Sequence, residues 1–226
     1  MKIGVIGTGS VGRTMAARLA ELGHSVTVGT RDPAATTART EPDGMGNPPF
    51  ATWHAEHPDV ALATFEQAAR HGEIVLNATG GSGSLPALTA AGADNLPGKV
   101  LIDISNPLDF SQGFPPSLWV KDTDSLGEQI QRVFPEVRVV KSLNTMAATL
   151  MADPKQLAGG DHSVFVSGND ADAKATVTTL LESLGHTDVI DLGDITTARG
   201  SEMLLPIWVR LMSALGTPIF QFKIVG

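Results

Sequence analysis

Lys2-Ile3-Gly4-Val5-Ile6-Gly7-Thr8-Gly9-Ser10-Val11-Gly12 opens the chain and decides how the rest is read. A short apolar run, residues 2–6, has strand character and leads straight into Gly-x-Gly-x-x-Gly. Residues 11–22 then follow with helical spacing and stop at Gly23, a good C-terminal cap. In a strand–turn–helix of this kind each glycine has its own use. The first permits a tight turn, the second lets backbone approach a pyrophosphate, and the third lets the helix pack on the strand. The first N–H groups of the helix and its positive dipole end then face the phosphates. Alone, the pattern is weak, because glycine turns without a ligand share it. Here a strand precedes it, a helix follows, and a second strand over 25–29 comes at the right distance. The context makes it a dinucleotide-binding turn built from Gly7, Thr8, Gly9, Ser10, Val11 and Gly12.

Working outward, β-rich runs alternate with helical stretches, the pattern of a parallel α/β sheet. Asp32-Pro33 has the form of an N-cap followed by proline at the first helical position. Residues 40–58 interrupt the rhythm, and Glu41-Pro42-Asp43-Gly44-Met45-Gly46-Asn47-Pro48-Pro49 is dense enough in proline and glycine to predict a loop. Loops of this length inside compact domains are often functional. Strands are expected over 60–63, 73–78, 100–104, 138–143, 162–167 and 189–191. Helices are expected over 65–71, 85–91, 125–134 and 171–184, with a final one over 195–215. The fold class is therefore α/β, a Rossmann-like, doubly wound, mostly parallel sheet with a C-terminal β/α extension and a terminal helix. One domain over 1–226 is the economical division, with 1–150 as the dinucleotide-binding core and 160–226 as an elaboration.

Composition limits the partners. A net charge of −8 argues against nucleic acid and offers no basic stripe for an anionic membrane. The absence of cysteine removes disulfides, thiolate nucleophiles and thiolate metal sites together. The most membrane-like stretch, 203–220, is broken by Pro206, Arg210, Ser213 and Thr217, so a buried or interfacial helix is expected there. Subunit interface is the favoured use, which predicts a homodimer through the C-terminal helix, and the expected setting is cytoplasmic.

The choice between NAD and NADP is made at the end of the second strand, where an acidic residue pairs with a ribose hydroxyl and an arginine accommodates a 2′-phosphate. Thr30 sits at that tip with Arg31 next, and this favours NADP. Asp32 has the chemistry to take a ribose, but its place before Pro33 favours a helix cap. Arg13 has two readings of equal weight: a second cation near the phosphates, or a solvated helix residue.

Three later strands end in small polar residues: Asn77-Ala78-Thr79-Gly80-Gly81, Ser105-Asn106-Pro107 and Asn144-Thr145-Met146. Ordinary turn chemistry accounts for each singly. Their recurrence along one sheet edge shifts the reading toward a nicotinamide pocket lined by Ala78, Thr79, Gly80, Asn106, Pro107, Asn144 and Thr145. His54, Glu56 and His57 fit no metal-ligand spacing and are expected as exposed loop residues. No Ser-His-Asp set, carboxylate pair or catalytic lysine stands out, so neither catalytic residues nor a metal are assigned. Hydride transfer between two ring cofactors needs stacking and positioning more than a protein acid.

Taken together, 6–12, Gly23-His24, Val28-Gly29-Thr30-Arg31-Asp32-Pro33, Lys141-Ser142-Leu143-Asn144-Thr145 and Gly168-Asn169-Asp170 resemble the NADP oxidoreductases that use the deazaflavin coenzyme F-420. The chain is also similar to the cytosolic reductase domain of the six-transmembrane epithelial antigen ferric reductases. The resemblance implies NADP(H) exchanging hydride with a deazaflavin or flavin on a Rossmann-like domain, usually within a homodimer. It places 2′-phosphate contacts on Thr30 and Arg31, and nicotinamide-side loops on Thr79, Asn106, Asn144 and Thr145. A sensor or partner protein that binds NADP(H) without turnover would carry the same glycine turn and is the alternative.

Overall fold

Short apolar runs such as Val5-Ile6, Val75-Leu76, Leu101-Ile102 and Val139-Val140 are too hydrophobic to face water on either side, which is the mark of strands covered by helices on both faces. The computed structural model, which describes residues 1–43 and 46–226, assembles them into an eight-stranded sheet. Its strands begin with β1 (Lys2–Ile6), β2 (Ser25–Thr30), β3 (Ala61–Thr64), β4 (Ile74–Asn77) and β5 (Val100–Asp103). Two short strands, β6 (Leu108–Asp109) and β7 (Ser117–Leu118), form a separate antiparallel pair. The main sheet continues with β8 (Arg138–Ser142), β9 (Ser163–Gly168) and β10 (Asp188–Gly193). Its order is β3-β2-β1-β4-β5-β8-β9-β10. From β3 to β8 every pairing is parallel; β9 runs antiparallel to β8, and β10 parallel to β9.

The helices are α1 (Ser10–Glu21), α2 (Pro33–Thr37), α3 (Phe50–Glu56), α4 (Phe65–His71) and α5 (Gly81–Ala90), then α6 (Leu126–Val133), α7 (Ala148–Ala152), α8 (Ala171–Leu184), α9 (Ala198–Met203) and α10 (Leu205–Leu215). Successive strand residues face opposite ways, so the sheet divides the core in two. Val5, Leu76, Ile102 and Val140 pack on one side with Met15, Leu19, Leu150 and Val177. Ile6, Val75, Leu101 and Val139 pack on the other with Ala68, Leu88, Leu126 and Ile130. This is a Rossmann-like, doubly wound α/β fold. Because β1 lies between β2 and β4, the chain reverses its direction of travel across the sheet there, and the crevice at a switch point of this kind is where such folds hold ligands.

Local chemistry sets the boundaries. The Asp32 carboxylate accepts from Ala35 N at 3.0 Å and starts α2 with Pro33 at N1, as the sequence predicts. Thr64 and Gln67 form a capping box that starts α4. Gly23 N–H reaches Ala20 O and His24 N–H reaches Leu19 O, the paired bonds of a Schellman ending for α1.

Three expectations are corrected. Within 40–58, α3 occupies Phe50–Glu56; Phe50 is buried in the core and rescues a helix that the flanking prolines conceal. The remaining loop prediction includes Gly44 and Met45, which lie outside the described residues. Helix α5 begins at Gly81 rather than 85, because its small first turn abuts backbone: a Cβ on Gly81 would lie 2.1 Å from Asn106 O. The single terminal helix becomes a 3-10 turn (Ile195–Thr197), α9 and α10, with Pro206 in the first turn of α10 unable to donate a continuing bond. Beyond α10 the chain turns back: Phe220 packs on Trp208, and Phe222 O accepts from Ser163 N at 2.9 Å. Among the described residues no helix is long and apolar enough to cross a membrane.

Candidate functional site

The turn after β1 is pinned from both sides. Gly7 N donates to Gly29 O at 3.1 Å and Ala78 N to Ile6 O at 2.9 Å. Gly7 has φ +123°, and a Cβ there would lie 2.6 Å from Ala78 O. A Cβ on Gly12 would lie 2.2 Å from Gly7 O, so helix and strand meet too closely for any side chain. Gly9 differs: a Cβ on it would meet no heavy atom within 4 Å. It is also the N-cap of α1, and among the described residues no side chain caps that helix. Two glycines therefore answer to the protein's own packing. The third leaves a bare backbone shelf beside the N–H groups of Ser10, Val11 and Gly12, which as the first of a helix have no intrahelical acceptor, and an anionic pyrophosphate fits both features.

At the tip of β2, Thr30 is buried and its hydroxyl lies 2.8 Å from that of Thr36. Arg31 is exposed and has no hydrogen-bond or ion-pair partner among the described residues. Of the two readings of Arg13, the solvated helix residue is corrected, because the side chain is buried. Its Nε donates to Thr8 O at 2.8 Å, another guanidinium nitrogen to Pro48 O at 2.5 Å, and its guanidinium carbon lies 5.4 Å from the centre of the Phe50 ring. Burial lowers its pKa, against the opposing pull of Asp43. Arg13 thus ties the segment before α3 to the glycine turn. A cleft of about 370 Å³ opens here, bounded by Thr8, Arg13, Thr36, Arg39, Asp43 and Phe50. Arg39 and Thr36 were invisible as site residues, because what brings them to the cleft is the path of the chain after α2.

On the other flank of the crevice, the strand ends carry a polar network. Fully buried Asn77 at the end of β4 donates to Asp103 Oδ1 (2.9 Å) and Ser84 Oγ (3.0 Å), and the Thr79 hydroxyl donates back to Asn77 Oδ1 at 2.7 Å. Ala78 continues that strand, and Gly80 is the N-cap of α5, again without a side-chain cap. Asn106 and Asn144 bond to one another, and the Asn144 amide also reaches Ser201 O at 3.2 Å. Pro107 O accepts from Trp119 N at 3.0 Å, anchoring the β6–β7 pair. Leu143, with φ +62°, turns the chain between β8 and Asn144, and both Asn144 and Thr145 are buried. A left-handed leucine is costly backbone, of a kind concentrated at functional sites.

Beneath these residues lies a charged set that sequence reasoning missed. Lys141 is fully buried, and its Nζ contacts Asp103 (2.8 Å), Glu202 (2.8 Å) and Ser105 O (2.5 Å). Burial works to lower its pKa, but Asp103 and Glu202 outweigh it and the net direction is up. The available signal was a lysine placed directly after Val139-Val140 in an interior strand. His54 on α3 and His57 just after its end are half-buried rather than exposed in a loop: His54 Nε2 lies 2.7 Å from Val60 O, and His57 stacks on Trp53. No group of three potential metal ligands occurs among the described residues.

Residues 2–107 match the model of the NADP oxidoreductase, coenzyme F420-dependent, family. The crystal structure of a candidate F420-dependent NADP-reductase from Arthrobacter sp. FB24 superposes with a TM-score of 0.96 at 67% identity, covering all of both chains. The F420-dependent NADP reductase of Methanocaldococcus jannaschii is 25% identical across 93% of this chain and 92% of its own. Metalloreductase STEAP3 of Rattus norvegicus is 32% identical across 95% of this chain, which spans only 39% of that relative's length.

Proposed function

Because this chain belongs to the family of NADP oxidoreductases dependent on coenzyme F420, we propose that it carries hydride between NADP(H) and a deazaflavin or flavin held against the nicotinamide. The observation that carries this reading is the open shelf at Gly9 beside the uncapped N-terminus of α1, at the sheet's switch point. Gly7, Thr8, Gly9, Ser10, Val11 and Gly12 hold the pyrophosphate through backbone N–H groups. Arg31, exposed and without a partner among the described residues, takes the 2′-phosphate, while Thr30 fixes the strand tip through Thr36. Ala78, Thr79, Gly80, Asn106, Pro107, Asn144 and Thr145 line the nicotinamide side.

The bound cofactor supplies the hydride chemistry; the chain orients it and limits water. That division agrees with a site built from amides, hydroxyls and backbone. Exposed Met203, Ile207 and Leu215 on and beside α10 support association of two copies through the C-terminal helix.

Titration with NADPH and NADH, followed by hydride-transfer assays against deazaflavin and flavin acceptors, tests the reading. Tight, NADPH-selective binding with turnover of one acceptor class is the expected result. Binding without transfer to any acceptor would favour a sensor, and absence of binding would remove the cofactor reading altogether.

A further inference from the structure

The nicotinamide-side edge stands directly on buried charge. Asp103 Oδ1 accepts from Asn77 Nδ2 (2.9 Å) and Ser105 Oγ (2.6 Å), so this carboxylate lies one hydrogen bond below the strand-end residues. Its other oxygen takes Lys141 at 2.8 Å. Glu202, brought in by α9, takes Lys141 at 2.8 Å together with the N–H groups of Leu126 (2.9 Å) and Gly127 (3.0 Å). Every contact to the two carboxylates is a donor, the role ionised groups require, and all three donors of the ammonium are used. Two negative charges thus face one positive charge out of water. The N-terminus of α6, to which Leu126 and Gly127 belong, offsets about half a charge, and among the described residues no further cation pairs with either carboxylate.

We propose that this excess negative charge makes the Asp103–Lys141–Glu202 set a selectivity determinant for the oxidised, cationic nicotinamide over the reduced, neutral one. The inference rests on the reading above that the nicotinamide lies over the ends of β4, β5 and β8. When a hydride leaves NADPH, two electrons and one proton pass together to the deazaflavin or flavin, and the ring left behind gains a positive charge. A fixed negative charge beneath it stabilises that product. Buried charges escape most of the screening that salt imposes at a surface. The chain therefore raises the hydride-donating tendency of its cofactor without any residue touching the transferred atom. No acid or base is needed for this effect.

The test is the ratio of dissociation constants for NADP+ and NADPH, measured by calorimetric titration of the full chain. Glu202→Gln keeps an acceptor for the α6 N–H groups and removes one negative charge; the ratio should rise on the order of three- to tenfold. Lys141→Gln removes the positive charge and should lower the ratio by a comparable factor. Simple structural damage would weaken both forms and push the two variants the same way. If Lys141→Gln does not fold, Asp103→Asn takes its place and should match Glu202→Gln in sign. An unchanged ratio in Glu202→Gln, or shifts of one sign in Glu202→Gln and Lys141→Gln, would overturn the proposal while leaving the cofactor reading intact. Failure of the unmodified chain to bind either form would overturn both.

Discussion

Asn106 and Asn144, on loops after different strands, satisfy each other: Asn106 Nδ2 donates to Asn144 O at 2.8 Å, and Asn144 Nδ2 donates to Asn106 Oδ1 at 3.0 Å. The pair locks the loop after β5 to the loop after β8, and Ser201 O extends the lock to α9 through the same Asn144 amide. Replacing Asn144 with Ala strips donors from two partly buried acceptors at once. Urea denaturation should show a loss of about 1–3 kcal/mol. A loss below ~0.5 kcal/mol would mean that water replaces both bonds and that the lock is incidental.

The glycine turn separates folding from binding. Gly12→Ala drives a Cβ to 2.2 Å from Gly7 O, and overpacking of that kind should destabilise by about 1–3 kcal/mol or more. Gly9 has φ −73° and ψ −177°, which alanine adopts freely, and open space around it. Gly9→Ala should keep or slightly raise stability, by roughly 0.5 kcal/mol, while NADPH binding collapses because the methyl occupies the pyrophosphate shelf. Thermal unfolding and cofactor titration on the same two variants give the comparison. Normal NADPH affinity in Gly9→Ala would remove the shelf from the site.

That contrast also indicates what a sequence carries on its face. Strand β1, the turn, α4 and α8 are legible because their signals are local: an apolar run, a Gly-x-Gly-x-x-Gly pattern, a capping residue, a terminal glycine. The first turn of α5 is not, since Gly81-Ser82-Gly83-Ser84 has little helix propensity and is held by packing on Asn106 and by Ser84 bonding to Asn77. The antiparallel direction of β9 is equally silent, because a buried strand reads the same both ways. In the candidate site, the positions of Thr30, Arg31 and the polar strand ends follow from topology. Lys141 pairing with Glu202 does not, because the partner arrives on a helix far along the chain and no periodicity announces it.

Cofactor choice should respond to Arg31 and not to Asp32. The first has no partner among the described residues; the second spends its carboxylate on Ala35 N. Arg31→Ala removes one charge-assisted contact, worth about 1.5–3 kcal/mol, so NADPH affinity should fall roughly 10- to 100-fold with NADH affinity little changed. Asp32→Ala should instead cost about 1 kcal/mol of stability through loss of the α2 cap. If Arg31→Ala leaves the NADPH-over-NADH preference unaltered, the 2′-phosphate sits elsewhere, and Arg39 in the adjoining cleft is the next residue to replace.

Acid should loosen the C-terminal part of the chain through His186. Burial pushes its pKa down to about 4, the neighbouring His162 ring, 6.2 Å away and edge-on, pulls the same way, and the Met151 carbonyl at 3.1 Å opposes them. Once unfolded, the imidazole takes up its proton near 6.5. Between those values the unfolded chain binds more protons than the folded one, so His186 contributes in full above pH 6.5 and progressively less as pH falls toward 4. The loss across that window is on the order of 3 kcal/mol. Carboxylates also titrate there, so the discriminating measurement is a difference: unfolding free energy against pH for the unmodified chain and for His186→Gln, which can still donate to Met151 O. The variant's curve should be flatter between pH 6.5 and 4. Two parallel curves would mean that His186 is protonated in the fold as readily as outside it, and that its burial costs the charged form nothing.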